Sequence, residues 1–131
     1  MTVPTLLLVM IGGAVGAGCR FLVDQAVTRR RPGPLPWGTL VVNVAGSLLL
    51  GLVAGAGRAL PGWLGHLVGT GFCGALTTYS TFAHGTVQLA ASGRRGPLWA
   101  GLNVVATLTV GIAAAAAGWL LAARLAAHFG A

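Results

Sequence analysis

Residues 69–82 read Gly69-Thr70-Gly71-Phe72-Cys73-Gly74-Ala75-Leu76-Thr77-Thr78-Tyr79-Ser80-Thr81-Phe82, inside a long apolar run. Three glycines precede a cluster of hydroxyl residues. Each glycine weakens a helix by about 1 kcal/mol relative to alanine. Threonine and serine side chains can bond backbone groups and open the helical ladder. In hydrocarbon a broken helix persists only where protein or a water-filled cavity covers the freed amides and carbonyls. The stretch is therefore expected to break a membrane helix, and a break at mid-membrane depth points to an ion or substrate site. The competing expectation is a glycine-rich packing face with no opening.

The composition places this stretch in a bilayer. Of the 131 residues 56% are apolar and only 7% charged, with a mean hydropathy of +0.86. Four apolar stretches, about residues 3–23, 37–57, 64–91 and 98–123, approach or exceed the roughly 20 residues needed to cross. They imply an all-α membrane protein of four transmembrane helices forming one domain over residues 1–131, with the third helix broken near Gly74–Tyr79. Residues 3–23 lack a charged leading region, so they are expected to be a retained first span and not a cleaved signal. Helical connectivity of four spans puts the loops after spans 1 and 3 on one side.

The net charge of +7 comes from eight arginines against a single acid, Asp24. In a soluble chain a pI near 11.8 would point to nucleic acid. Here the arginines lie mainly in loops, where they act as topology signals, and nucleic acid is not expected as a partner. Cys19 and Cys73 fall within apolar spans and read as packing residues. His66, His84 and His128 are too scattered for a metal site. No carboxylate lies mid-span, which weighs against a proton-coupled exporter. No hydrolase triad, zinc motif or nucleotide loop can be argued from spacing, so an enzyme is not expected.

The spans carry further patterns. Gly12 and Gly16 form a face that admits a close helix neighbour. Arg20 follows, either reaching to the interface or turning inward toward an anion entrance. Residues from Asp24 to Pro36, with Arg29-Arg30-Arg31, read as a polar, non-helical connector. Asn43, Ser47, Gly51 and Gly55 recur every fourth residue and share one face of span 2. The Asn43 amide needs a partner, either on a neighbouring helix or in a permeating ion and its water. Asn103, Thr107 and Gly111 repeat the spacing of Asn43, Ser47 and Gly51, a weak sign of duplication. Asn43, Ser47, Thr77, Thr78, Ser80 and Thr107 offer neutral donors, and Tyr79 and Phe82 can present ring edges of partial positive charge. Such a set suits a small anion that must bind and leave again.

Three motifs taken together resemble the CrcB/Fluc fluoride channels. They are Gly12-Gly13-x-x-Gly16-Ala17-x-x-Arg20, Gly38-Thr39-Leu40-x-Val42-Asn43-x-x-Gly46-Ser47, and Gly74-x-x-Thr77-Thr78-Tyr79-Ser80-Thr81-Phe82. The resemblance runs in order through all four spans. It implies a passive, fluoride-selective channel of the cell membrane, built as an antiparallel dimer with two pores. It further implies a structural sodium ion at the dimer interface, held by backbone carbonyls of Gly74 and Thr77. Asn43, Tyr79, Phe82 and Thr107 would contact the permeating ion, with Arg20 at the entrance. Two positions depart from the family pattern. Tyr79 stands where phenylalanine is usual, and Gly85 where a glutamate is frequent.

Orientation is a further expectation. Arg29, Arg30, Arg31, Arg94 and Arg95 occupy the loops after spans 1 and 3, with only Arg58 and Arg124 opposite. That bias places the arginine-rich loops in the cytoplasm. It favours a heterodimer with a homologous subunit of opposite bias over a dual-topology homodimer. A non-conducting structural subunit is the next reading, and a small-multidrug-type exporter the weakest.

Overall fold

The structure, a computed structural model, describes residues 2–129, and among these every regular element is helical. Helix α1 spans Val3–Arg30 and α2 spans Trp37–Ala56. A tight turn at Gly57–Ala59 leads to α3, residues 62–76. Helix α4 covers Ser80–Ala90, and α5 runs over Gly96–His128. Three helices, α1, α2 with its following turn, and α5, are long and apolar enough to cross a membrane. The expected third span is broken, as its glycine and hydroxyl run implied, into two shorter pieces, α3 and α4, separated at residues 77–79.

Helix α1 begins where Thr2 Oγ1 accepts the Thr5 N–H and Pro4 occupies the first turn, a position where its missing N–H costs nothing. It does not stop at residue 23. The segment expected to be a non-helical connector from Asp24 stays helical through Arg30, at 28 residues in all. Asp24 through Arg31 contains no glycine or proline, so nothing interrupts the ladder before Pro32. At 1.5 Å per residue the helix is about 42 Å long, against a hydrocarbon core of about 30 Å. Its last turn therefore carries Arg29 and Arg30 beyond the apolar layer. Arg31 lies over the Trp37 ring, 5.7 Å from its centroid, at the start of α2.

Small residues set how closely the helices approach. A Cβ on Gly12 would strike the Leu67 carbonyl, and one on Gly16 the Phe72 carbonyl. The two contacts advance together along both helices, so α1 and α3 run parallel. Likewise Gly51 lies on the Ala115 carbonyl and Gly55 on that of Trp119, so α2 and α5 run parallel and make the broadest helix pair. The starts of α2 and α5 therefore share one end of the bundle, as do the connections carrying Arg29–Arg31 and Arg94–Arg95. The internal repeat pairs Gly51 with Gly111, whereas packing sets Gly51 against Ala115, one turn further on. Backbone approach, not residue likeness, chose the register.

The interior is thin. Val42 and Cys73 are almost wholly enclosed, while Leu6, Leu7, Met10, Ile11, Val15, Leu108 and Ile112 are exposed on outer faces. An apolar exterior of this extent is matched to lipid or to another subunit.

Candidate ion pathway

Within α3, residues Gly65–Cys73 are wound as a π-helix, a wider and rarer coil that clusters at functional sites. The final turn, Gly74–Leu76, is α-helical. Gly74 thus continues the helix, and the break begins three residues later than the first residue of the expected window. Thr77 adopts φ −78°, ψ 155°, an extended conformation that ends α3. Its Oγ1 donates back to the Cys73 carbonyl at 2.8 Å, anchoring the last turn.

The break is held from another helix. Thr78 N–H donates to Asn43 Oδ1 at 2.8 Å, and Asn43 Nδ2 donates to the Thr78 carbonyl at 3.1 Å. One carboxamide therefore satisfies both main-chain groups of Thr78. Buried backbone groups without partners cost about 1–3 kcal/mol each, so this contact carries much of the cost of breaking the helix. Below the break Ser47 Oγ donates to the Asn43 carbonyl at 2.8 Å. Beyond it Thr78 Oγ1 accepts the Thr81 N–H at 3.2 Å, meeting an orphan donor of α4's first turn.

Around the break lies an open groove of 760 Å³ bounded by α2, α3, α4 and α5. Asn43, Gly74, Thr77, Tyr79, Phe82 and Thr107 all line it, together with Ser47, Thr70 and Thr78. Arg20 does not line it. That arginine lies ten positions before the last residue of α1, half-buried on a helix packed mainly against α3. The Tyr79 and Phe82 rings stand 6.2 Å apart at 51°. Tyr79 is 81% exposed, so most of its ring meets nothing in its own chain. Thr107 Oγ1 is buried yet, among the described residues, has no hydrogen-bond partner. Among the described residues no carboxylate, histidine or arginine lines the groove, so its polarity comes from neutral hydroxyls, amides and ring edges.

Two features lay outside the sequence reading. Thr78 ranked there only as a hydroxyl donor, yet its backbone is the contact that secures the break. In the sequence Asn103 is only an echo of Asn43. In the structure it is buried and donates to Thr86 Oγ1 at 2.9 Å, and Thr86 donates to the Phe82 carbonyl at 2.8 Å. The signal was available, since an amide at that depth requires a partner.

The carbonyl oxygens left free at the break are the kind of ligand that a hard cation takes. In an unbroken helix Thr78 N–H would serve the Gly74 carbonyl. Among the described residues no backbone N–H outside a helix is donated to Gly74 or Thr77. A side chain placed on Gly74 would meet nothing within 4 Å, so that flank is open. Carbonyl oxygens suit hard cations, and no group of three His, Cys, Asp or Glu capable of holding a softer metal occurs among the described residues.

Long apolar helices, an interrupted helix and a polar groove at the interruption define a multi-pass integral membrane protein with a solute pathway. The chain belongs to the CrcB family: residues 7–119 match the model of the CrcB-like protein, Camphor Resistance (CrcB) family. It is 50% identical over 123 residues to a Frankia casuarinae protein named fluoride-specific ion channel FluC 1, covering 88% of this chain and 94% of that one. A Nocardia farcinica protein of the same name is 49% identical over 107 residues, covering 82% and 72%. A Mycobacterium tuberculosis protein named fluoride-specific ion channel FluC 2 is 43% identical over 121 residues, covering 92% and 93%.

Proposed function

We propose that this chain is a subunit of a passive, fluoride-selective channel that lets fluoride leave the cytoplasm down its electrochemical gradient. The carrying observation is the groove at the Thr77–Tyr79 break, lined by neutral donors with the buried, unpartnered Thr107 hydroxyl among them. The names of the relatives, ion channels and not enzymes, support the same reading.

A small anion entering the groove exchanges water for Thr107, for the Asn43 Nδ2 hydrogen not spent on Thr78, and for the ring edges of Tyr79 and Phe82. None of these bears a full charge, so the ion is stabilised without being trapped. Arg20, outside the groove, contributes positive potential at the approach. The α3–α4 pair supplies the fourth crossing. Because the groove is open and Tyr79 faces outward, the pathway closes only against a second subunit. An antiparallel dimer supplies it and brings four carbonyls, those of Gly74 and Thr77 from each chain, around one sodium ion. Sodium supplies the positive charge that offsets their mutual repulsion.

The test is efflux from liposomes containing the purified chain, with potassium shunted by an ionophore. Fluoride should leave and chloride should stay. Equal chloride efflux would sink the selectivity reading. A second reading is favoured by the bias of five loop arginines against two: the chain works as half of a heterodimer, lending helix faces to a homologous subunit. Fluoride efflux that requires co-reconstitution with such a subunit would select it.

A further inference from the structure

We propose that Asn43 is a positioning residue for the cation: by drawing the Thr78 N–H out of the helical ladder, it leaves the Gly74 carbonyl free to act as a ligand. This rests on the channel reading above and assigns a cause to its cation site. In a continuous helix the N–H of residue 78 and the carbonyl of residue 74 are partners. Here that N–H goes to Asn43 Oδ1 at 2.8 Å. The return bond from Asn43 Nδ2 to the Thr78 carbonyl, at 3.1 Å, holds the same residue from its other side. Two bonds fix the carboxamide more tightly than either would alone.

The consequence falls on the oxygens. With Thr78 drawn toward α2 and Thr77 extended at ψ 155°, the Gly74 and Thr77 carbonyls lose their successors in the ladder. A carbonyl freed at membrane depth must be met by water, a cation or a partner chain. Gly74 adds no side chain to obstruct that meeting, since its outward flank is empty to 4 Å. Remove the carboxamide and the Thr78 N–H is left unsatisfied, with the Gly74 carbonyl its nearest helical partner. The ladder then closes and the ligand is withdrawn. Asn43 also lines the groove, so one side chain links the anion path to the cation site. Substitution there should affect both together.

The sequence supplies its own probe. Thr77-Thr78 is the sole Thr-Thr pair in the chain. Labelling with threonine carrying both carbon-13 carbonyl and nitrogen-15 therefore yields one correlated signal, joining the Thr77 carbonyl to the Thr78 amide. In the wild-type protein in detergent, sodium in place of N-methyl-D-glucamine should shift the Thr77 carbonyl along a saturable curve. In N43L the Thr78 amide should move upfield, and sodium should act at least tenfold more weakly. N43S, too short to span to Thr78, should behave as N43L does and serves if the leucine variant does not fold. N43D, whose carboxyl can accept the Thr78 N–H in either protonation state, should retain the sodium response. An unmoved Thr78 amide in N43L and N43S, or a sodium curve equal to wild type in both, would overturn the proposal. A wild-type protein that conducts fluoride yet shows no sodium shift would remove the cation site and this inference with it, leaving the channel reading intact. Failure of fluoride efflux with a normal sodium curve would do the reverse.

Discussion

Phe82 and Tyr79 occupy the same groove but stand in different surroundings. Phe82 is half-buried, with its carbonyl tied through Thr86 to Asn103, while Tyr79 projects outward. Phe82→Ile keeps most of the apolar volume and removes only the ring edge. It should lower fluoride efflux at least tenfold while thermal stability in detergent changes little; unchanged efflux would remove the ring from the pathway. Tyr79→Phe should preserve or raise efflux, because the edge stays and the hydroxyl has no partner among the described residues. Thr107→Val tests the orphan hydroxyl. Deleting an unsatisfied buried group relieves about 1–3 kcal/mol of desolvation, so the variant should melt at the same or a higher temperature. On the proposed reading it should nevertheless conduct more slowly. Higher stability with wild-type efflux would show that this hydroxyl does not meet the ion.

At the scale of elements, glycine spacing determines how closely the bundle closes. Gly16 sits where a methyl group would strike the Phe72 carbonyl, whereas Gly18, half a turn away, faces open space. Gly16→Ala should therefore force α1 and α3 apart at a cost of about 1–3 kcal/mol. Gly18→Ala should be neutral or stabilise by up to about 1 kcal/mol through helix propensity. Thermal unfolding of the two variants side by side checks the contrast, and an equal response would mean that α1 does not rest on α3 at Gly16. The same packing bears on the ion pathway. Since α1 supports the π-helical part of α3 through Gly12, Gly16 and Gly71, loosening it should also loosen the groove wall.

For the whole molecule, orientation and partnership are coupled. Packing puts Arg29, Arg30, Arg31, Arg94 and Arg95 at one end, with Asp24 the only acid in the chain. Under the positive-inside rule that end belongs in the cytoplasm. A cysteine reporter in the loop before Trp37, in cells making this chain alone, should be labelled from the cytoplasmic face only. Equal labelling from both faces would mean dual insertion and would end the heterodimer reading. Sodium bound only by the assembled dimer should lengthen dimer lifetime in detergent relative to a large organic cation, by mass action. Equal lifetimes would count against a shared site at Gly74 and Thr77.

Hydropathy, loop charge and the run from Gly69 to Phe82 are properties of neighbouring residues, so they are readable along the chain. From them followed the all-helical membrane character, three long apolar helices and a break close to where it occurs. Six of the seven proposed ion-contacting residues line one groove: Asn43 and Thr107 from helix faces legible in four-residue spacing, and Gly74, Thr77, Tyr79 and Phe82 because they flank the break. Arg20 does not join them, since the length of α1 depended on the absence of a breaker before Pro32 and its neighbours on packing. The partner of Asn43 could not be read in the same way. The sequence demanded one for a buried amide, but Thr78 lies 35 residues away. Only the register of α2 against α3 and α4 brings them together. At that meeting Gly46 lies against the Thr77 methyl group, while glycine contacts to backbone seat α2 on α5 and α1 on α3. Hence composition and local order along the chain determined that it enters a membrane and breaks a helix there. Which carbonyls the break sets free was decided only when the helices packed, because a hydrogen bond between distant residues exists only at a distance of about 3 Å.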